Sequence, residues 1–592
     1  MKSNTKRKGY PESVGKFSLE NYRVFETETE FDFKPITFLV GPNSSGKSSL
    51  MKLLKAFSAN TLNSSHYSFA PSFINSNLTN QNTEPVNLKN SFTSNDKPFS
   101  FKIESAGIFG ALDVNYSLNY ENSSKARNGI NLSLFELKRK NELIISISPQ
   151  KNADFIIRFS IREFISLCKD FLSVDFDSDE NNETPAFYIK TAPKIENCDK
   201  IFNLKDHLLN DIYLSKLNEL ENITFNSKKN LIEIDTSKHP QEAHVYLSRQ
   251  LLFDDFGDNG LKGFFQFLIL GGFQQIFQSE LEKMGFDGDV DLTRFGEFLL
   301  NDFSNKIQYD LTYTIGKNID FAHTPVFKRE REMVFNINDI SLTTFDLLLK
   351  AYILDHLSWF ENGILLSNDY IDEWLVKFGI GKTLIVRKME FTDQYFIIEI
   401  EKENGQNINI SDLGYGAGQV LAYLFLPYYS KIPSCHIIES YNIKESIVEK
   451  IDQSGIRKVE FNSMKDISGK MIIQNVYLEE PETNLHPNWQ SILAELIVYQ
   501  ISIGIRFVIE THSEYLIRKI QNLIALKNCD KNDVVIYYFN SEKERKHNNK
   551  TTSFKITLNE NGTLSESFGA GFFDEAGKLS LELLSINSTR KN

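Results

Sequence analysis

Residues 41–48 have the sequence GPNSSGKS, which carries the spacing of glycines, lysine and serine typical of a phosphate-binding loop. The nearly continuous apolar run PITFLVG ends at Gly41 and suits a buried strand of a parallel sheet. The run KSSLMKLLKAF at Lys47–Phe57 has helical spacing. A strand before the loop and a helix after it are the context that this pattern requires. The sequence therefore predicts a loop whose backbone N–H groups surround phosphates at a helix N-terminus.

The chemistry of this loop predicts ATP and Mg²⁺ as its ligands. We expect Lys47 to reach the β- and γ-phosphates and the Ser48 hydroxyl to bind Mg²⁺. The predicted nucleotide-binding residues are Gly41, Pro42, Asn43, Ser44, Ser45, Gly46, Lys47, Ser48 and Ser49.

Two adjacent carboxylates follow a second apolar run, IIQNVYLEEP at residues 472–481. An acid at the C-terminal end of a strand is where α/β nucleotide-binding folds hold the metal-side carboxylate. We predict that Glu479 lies near Mg²⁺ and that Glu480 polarises the attacking water.

A histidine follows a third apolar strand, in FVIETHS at residues 507–513. His512 would stand at the same edge of the sheet, where it could hydrogen-bond either the γ-phosphate or the attacking water.

A glycine-rich turn, SDLGYGAGQ at residues 411–419, precedes the helix-like run VLAYLFL. Such turns at helix starts bind anions, although this pattern alone is weakly specific.

Composition limits the remaining classes of protein. The chain has 592 residues and a formal net charge of −13, which disfavours a non-specific DNA-coating protein. Its four cysteines are scattered, which argues against a disulfide framework and fits a reducing cytoplasm. The N-terminus lacks the apolar core of a signal peptide, and the most apolar stretch, Gly263–Phe277, is interrupted by glutamines and glycines. We expect no membrane association.

Local patterns also predict elements outside the motifs. Asp154–Leu172 has helical spacing, and residues 541–552, SEKERKHNNKTT, are polar and predict a loop. The runs TLIVRKMEF and QYFIIEIEKENGQNINI predict a pair of strands, and SFKITLNENGTL predicts a further strand. Residues 58–98 and the acidic run at residues 175–184 predict loops.

These motifs, in this order, resemble the ABC-type ATPase heads of the SMC-like and OLD-like families. SLENYRVF resembles the opening strand of the family, LEEPETNLHP its Walker B and D-loop, and ETHSEYL its switch histidine. The stretch GTLSESFGAGFFDEA resembles a short C-terminal domain of many prokaryotic relatives. The resemblance covers about residues 16–57 and 380–580 and leaves the middle of the chain unassigned.

The resemblance implies that the turn at residues 411–419 is the signature motif, which contacts the nucleotide of a partner subunit. The implied signature residues are Ser411, Gly414, Gly416, Gly418 and Gln419. The family usually has serine before the signature glutamine, where this chain has Gly418. Ser411 could replace that serine, or backbone N–H groups alone could contact the γ-phosphate. We assign no Q-loop glutamine.

The predicted fold class is α/β, an ABC-type P-loop ATPase head split by a large inserted mixed α/β lobe. The N-terminal part of the head takes residues 1–105, the inserted lobe 106–380, the C-terminal part of the head 381–540 and a small tail domain 541–592. The lobe is too short and irregular for an SMC rod, which points to compact relatives such as Septu-, retron- and PARIS-type ATPases of anti-phage defence.

Three functional hypotheses remain open, the third of which is a nucleotide-gated scaffold that hydrolyses ATP hardly at all. In the first, the chain is an ATPase sensor or scaffold that pairs with itself and activates a separate effector, a nuclease on another chain. In the second, it is a DNA repair or recombination ATPase that acts directly on nucleic acid.

Two weaker patterns also occur. They are a Glu136-Leu137-Lys138 triplet with Asp113 upstream, as in some nucleases, and the pair His239 and His244, which lacks a third ligand for zinc.

Overall fold

A computed structural model provides the structure of the chain. It describes residues 16–53, 93–94, 97–107, 110–120, 130–139, 141–149, 155–160, 223–226, 231–235, 321–322, 334–337, 344–390, 392, 394–431, 447–451, 457–461, 474–548, 551–568, 579 and 582. The predicted acidic loop and the histidine pair His239 and His244 lie outside these residues, as does most of the predicted loop at 58–98.

The strands are β1 Lys16–Glu20, β2 Thr29–Asp32, β3 Ile36–Val40, β4 Phe99–Gly107, β5 Gly110–Tyr120, β6 Ile130–Arg139, β7 Glu142–Pro149, β8 Phe155–Ser160, β9 Ile223–Asn226, β10 Leu231–Asp235, β11 Phe321–Ala322, β12 Val334–Asn336, β13 Ile364–Leu366, β14 Thr383–Lys388, β15 Tyr395–Glu401, β16 Asn407–Asn409, β17 Ile447–Ile451, β18 Arg457–Phe461, β19 Gln474–Glu479, β20 Ile505–Glu510, β21 Val534–Phe539 and β22 Ser553–Ile556. The helices are α1 at residues 47–53, α2 Thr344–Asp355, α3 Asp369–Phe378, α4 Tyr415–Leu424, α5 Pro487–Ser502, α6 Glu514–Ala525 and α7 Glu542–Asn548.

The described residues form two compact units. One unit takes those within Phe33–Ser48 and Phe321–Asn592, and the other takes those within Glu12–Asp32 and Ser49–Asp320. The domain boundaries expected from the sequence, at residues 105, 380 and 540, stay predictions.

A six-stranded sheet organises the first unit, in the order β11-β19-β20-β3-β21-β22. The first five strands run parallel, and β22 pairs antiparallel with β21. Every residue of β3, β20 and β21 is buried, as expected for parallel strands covered on both faces. The carboxyl ends of β3, β19 and β20 therefore meet at one edge of the sheet, and the sequence prediction of a buried strand before the loop is confirmed.

Helices that follow the strands begin with capping side chains. The Ser513 hydroxyl accepts a hydrogen bond from the Leu516 backbone N–H at the start of α6. Pro487 opens α5, where a missing backbone N–H costs nothing.

A second sheet in this unit pairs β14 with β15 antiparallel, as the sequence predicted, and adds β12, β13 and β16. The α/β class is confirmed.

The second unit contains a nine-stranded antiparallel sheet in the order β2-β1-β4-β5-β6-β7-β8-β10-β9. This sheet corrects one prediction. The start of the stretch Asp154–Leu172 is strand β8 and not helix, because Phe155–Ser160 pairs with β7 on one side and β10 on the other. Strand partners on both sides outweigh the local helical spacing.

A second correction concerns residues 541–552, which contain helix α7 where a loop was predicted. The Ser541 hydroxyl accepts a hydrogen bond from the Glu544 N–H at 3.2 Å, and the Glu544 carboxylate accepts one from the Ser541 N–H at 2.9 Å. This reciprocal pair is a capping box. A Glu542–Lys546 ion pair one turn apart also supports the helix.

No helix in the described part of the chain is long and apolar enough to cross a bilayer.

Candidate nucleotide site

The loop at residues 41–48 joins β3 to α1 through backbone conformations that favour glycine. Gly41 has φ +139° and Gly46 φ +115°. A Cβ on Gly41 would also overlap the backbone carbonyl oxygen of Phe539 in β21. Ser44 has φ +61°, an uncommon conformation for a residue with a side chain. The glycine spacing in the sequence is thus explained by the turn that it must form.

Lys47 is buried beneath its own loop. Its Nζ lies 3.0 Å from the carbonyl oxygens of Gly41 and Pro42, and 3.7 Å from Oε1 of Glu510. Burial lowers the pKa of the Lys47 ammonium below its ordinary value, and the carboxylates of Glu510 and Glu480 oppose that shift. The charge required for phosphate binding is therefore held inside the loop.

The carboxylate of Glu510, at the end of β20, lies beside the loop and was missed by the sequence reasoning. Ser48 donates its hydroxyl to this carboxylate, with Oγ 3.1 Å from each oxygen, and Tyr477 donates to Oε2 at 2.8 Å. Only 5% of Glu510 is exposed. The available signal was a carboxylate at the carboxyl end of a mostly apolar strand, two residues before His512.

Glu479 ends β19 and Glu480 follows it on the next turn, at the end of the apolar run where the sequence placed them. Glu479 lies opposite Glu510 in the strand register, and both Glu479 and Glu480 are exposed. Glu480 has φ +43°, and its N–H donates to the Glu510 carbonyl at 2.8 Å. A non-glycine residue in this region is strained by roughly 1–3 kcal/mol, and such residues cluster at functional sites. Their metal and catalytic roles stay predictions.

His512 lies beside these acids. Its Nε2 is 4.0 Å from Oε1 of Glu480, and its backbone N–H donates to Oε1 of Glu482 at 2.6 Å. Burial raises the pKa of the Glu482 carboxyl, while the His512 N–H and the Thr511 hydroxyl oppose the shift. The turns after β19 and β20 are therefore joined by direct contacts.

The signature candidates lie at the start of α4. Gly414 is its exposed N-cap, and a Cβ there would meet nothing within 4 Å. Gly416 packs tightly, because a Cβ would lie 2.7 Å from the Asn484 carbonyl oxygen. Gly418 and Gln419 are buried in their own chain.

The buried end of the signature is connected to the turn after β19. The Gln419 amide donates to the Tyr423 hydroxyl at 2.9 Å, and that hydroxyl donates to the Pro481 carbonyl at 3.4 Å. On the preceding turn, the Ser411 hydroxyl donates a long bond of 3.5 Å to Asp412, and the Ser411 N–H donates to the Asn409 side chain at 2.9 Å. A contact between these residues and a partner's nucleotide stays a prediction.

The loop residues fit a phosphate ligand and a divalent cation. The Ser45 hydroxyl is buried and has no hydrogen-bond partner among the described residues, although buried hydroxyls are nearly always paired. The Ser48 hydroxyl and the Glu510 carboxylate supply the oxygen donors that Mg²⁺ prefers. Ser49, in the second unit, accepts a hydrogen bond from Nη1 of Arg23 at 3.4 Å.

A further cation contacts the loop from α7. Nη1 of Arg545 donates to the Ser45 carbonyl at 3.2 Å. A loop was predicted for this segment, so Arg545 was not among the predicted site residues. Its guanidinium carries five N–H donors, so it can support the loop backbone and retain donors for other acceptors.

The Glu136-Leu137-Lys138 triplet, outside this site, is a weaker candidate for a functional site. Lys138 Nζ forms an ion pair with Glu136 Oε2 at 2.8 Å on β6, and Asn115 donates to the same oxygen at 3.3 Å. Neighbouring side chains in the sheet thus already bind this oxygen of Glu136. No group of three or more metal-ligating side chains occurs in the parts of the chain that the structure describes.

The family model of the AAA ATPase domain matches residues 14–517, which include the loop, both acids of β19 and His512. The chain belongs to this AAA ATPase family. A second family model, of proteins of unknown function (DUF3696), matches residues 529–583 of this ATPase. No curated protein matches the chain.

Solved structures with detectable likeness include SMC head domains. The head of Pyrococcus furiosus Smc with an extended coiled coil, bound to the C-terminal domain of ScpA, is 10% identical with a TM-score of 0.31, covering 96% of this chain and 98% of that chain. The SMC head domain from Thermotoga maritima is 9% identical with a TM-score of 0.29, covering 92% and 98%. A further SmcHead, bound to the C-winged helix domain of ScpA, is 11% identical with a TM-score of 0.31, covering 93% and 98%. Family membership rests on the family model alone.

Proposed function

We propose that the chain binds ATP with Mg²⁺ at residues 41–48 and hydrolyses the γ-phosphate. The observation that carries this proposal is the buried pair of Lys47 and Glu510, with the half-buried Ser48 hydroxyl on the same carboxylate, beside the strained turn at Glu480. A buried cation, a hydroxyl and a carboxylate at a loop of backbone N–H groups suit a polyphosphate with its metal. Membership of an ATPase family supports the same conclusion.

The chain's own residues divide the work. Lys47 neutralises the β- and γ-phosphates, and the loop N–H groups orient them. Ser48, with Glu479 or Glu510, holds the metal, which supplies charge neutralisation when it is bound. Glu480 accepts a proton from the attacking water, and His512 hydrogen-bonds the γ-phosphate or that water.

A complete site requires a second copy of the chain. The start of α4 is exposed at Gly414, and the first N–H groups of a helix have no partner within that helix. In the proposed pair, this turn of one copy closes over the nucleotide of the other, in a symmetric interface.

The concentration dependence of turnover tests both parts of this proposal. Phosphate release from ATP is measured at increasing concentrations of the purified chain with Mg²⁺. A rate per chain that increases with concentration and then saturates supports the paired site. A rate per chain that is constant down to concentrations where the protein is monomeric refutes the pair, and no release at any concentration refutes the hydrolysis.

At the level of the cell, we propose that the ATPase is the sensor or scaffold of an anti-phage system and activates a separate effector, a nuclease. The motif resemblance to compact defence ATPases supports this role. The chain is co-expressed with the products of its neighbouring genes, and the mass of the purified complex is measured. A stable complex with a small nuclease or toxin supports the role. A chain that binds no neighbouring product but binds DNA with ATP supports the repair hypothesis instead.

A further inference from the structure

The ion pair between Lys47 and Glu510 is almost completely removed from water. The side chains are 3% and 7% exposed, and Nζ lies 3.7 Å from Oε1. The Glu510 carboxylate is held further by the hydroxyls of Ser48 and Tyr477. In this arrangement the two buried charges compensate each other.

This balance must change when a nucleotide binds at the loop. The phosphates need the Lys47 charge, which the loop now directs to the carbonyls of Gly41 and Pro42 and to Glu510. A buried carboxylate that loses its cation is strongly destabilised. Here the penalty increases further, because the incoming phosphates are also negative. A second cation has to replace Lys47 beside Glu510.

We infer that Glu510 makes nucleotide binding conditional on a divalent cation, which replaces Lys47 as the counter-charge of this buried carboxylate. This inference rests on the proposed function and deepens it. It assigns the metal-side carboxylate to β20, where the sequence placed it only at Glu479 on β19. Tyr477 acts as a positioning residue that fixes the carboxylate toward Ser48.

Burial distinguishes Glu510 from Glu479. Glu510 is buried and contacts the Ser48 hydroxyl with both oxygens, whereas Glu479 is exposed to solvent. Water can compensate an exposed carboxylate in the absence of a metal, but not a buried one. Loss of charge at Glu510 should therefore alter the metal dependence of binding, and loss of charge at Glu479 should alter it much less.

The test is a comparison of affinities for a fluorescent ATP analogue with Mg²⁺ and with EDTA. The full-length chain is compared with Glu510→Gln, Glu510→Asp and Glu479→Gln. For the wild type we expect removal of metal to weaken binding by at least about tenfold. Glu510→Gln keeps the shape of the side chain and one hydrogen-bonding oxygen. For this variant we expect tighter metal-free binding, and the ratio of the affinity with Mg²⁺ to the affinity with EDTA should fall to about threefold or less. Glu510→Asp keeps the charge and should retain the wild-type ratio.

Bound Mn²⁺, measured by electron paramagnetic resonance with ATP present, gives a second readout that does not depend on turnover. We expect Glu510→Gln to weaken Mn²⁺ binding more than Glu479→Gln does. The inference is overturned if Glu510→Gln keeps the full metal dependence, or if Glu479→Gln alone removes it. A wild-type chain that binds no nucleotide in either buffer would instead refute the proposed function itself, and the inference with it.

Discussion

Oε1 of Glu482 lies 2.6 Å from the backbone nitrogen of His512, whose N–H it accepts. The two residues belong to turns that follow neighbouring parallel strands, β19 and β20. Each turn also carries a residue assigned to hydrolysis, Glu480 in the first and His512 in the second. This hydrogen bond to the Glu482 carboxyl joins the two turns directly, so we expect a shift of one turn to move the other.

Replacement of Glu482 tests this connection. In Glu482→Ala the His512 N–H loses its acceptor, so His512 should no longer be held near Glu480. We expect ATP turnover to fall by roughly tenfold with little change in ATP affinity. Glu482→Gln keeps an acceptor oxygen and serves as the matched control, with turnover close to that of the wild type. Equal turnover in Glu482→Ala and the wild type would show that the contact does not position His512.

Glu480→Gln should trap the ATP-bound state. The amide cannot take a proton from the attacking water, but it leaves Lys47 and Ser48 free to bind the nucleotide. We expect at least about a 100-fold loss of turnover and accumulation of a dimer with ATP, measured by light scattering. Glu403→Gln, at an exposed position on the β15–β16 turn, is the control. Wild-type turnover in Glu480→Gln would contradict its role as the base.

The exposed start of α4 gives a direct test of the paired site. In Gly414→Trp, the new side chain meets no atom of its own chain near Cβ. The variant chain should therefore fold normally, and its tryptophan should obstruct an approaching partner. We expect lower turnover and weaker ATP-dependent dimerisation with unchanged ATP affinity, whereas Gly414→Ala should behave like the wild type. A Gly414→Trp chain that dimerises and turns over normally would place the partner elsewhere.

Gly418 does not serve for this purpose, although the sequence suggested it. Gly418 is buried within its own chain, so Gly418→Leu would disturb the packing of α4 whether or not a partner approaches. Sequence spacing alone could not separate the exposed Gly414 from the buried Gly418, because both belong to one glycine-rich turn. Their burial depends on how α4 packs on the turn after β19.

The loop, its strand and its helix could be predicted because local sequence determines them. Gly41 and Gly46 permit the positive φ angles of the loop, and β3 is a run of five buried residues in which only Thr37 is polar. The contacts of Glu510 and Arg545 could not be predicted in this way. Glu510 meets Ser48 only because β20 lies directly beside β3 in the sheet, and strand order is a tertiary property.

The same reasoning explains the two corrected elements. The helical spacing at the start of Asp154–Leu172 was overridden by strand pairing on both sides of β8, which no local pattern reveals. By contrast, the capping box of Ser541 and Glu544 was present in the sequence and was overlooked among polar residues.

The purified chain should not cut nucleic acid. On β6, Glu136 is paired with Lys138 and Asn115, so its carboxylate is occupied within the sheet. We expect no cleavage of single- or double-stranded DNA with Mg²⁺ or Mn²⁺ in a gel assay. Metal-dependent cleavage that disappears in Glu136→Ala would show that this triplet is a nuclease site.

The affinity for ATP of the Lys47→Ala chain tests the central claim most directly. Lys47 is the buried cation of the loop, whereas Lys52 lies on the same helix with its side chain exposed, so Lys52→Ala is the matched control. In calorimetric titrations with Mg²⁺, we expect wild type and Lys52→Ala to bind ATP equally and Lys47→Ala to lose at least about 100-fold in affinity. Equal ATP affinity in all three chains would contradict the assignment of residues 41–48 as the nucleotide site.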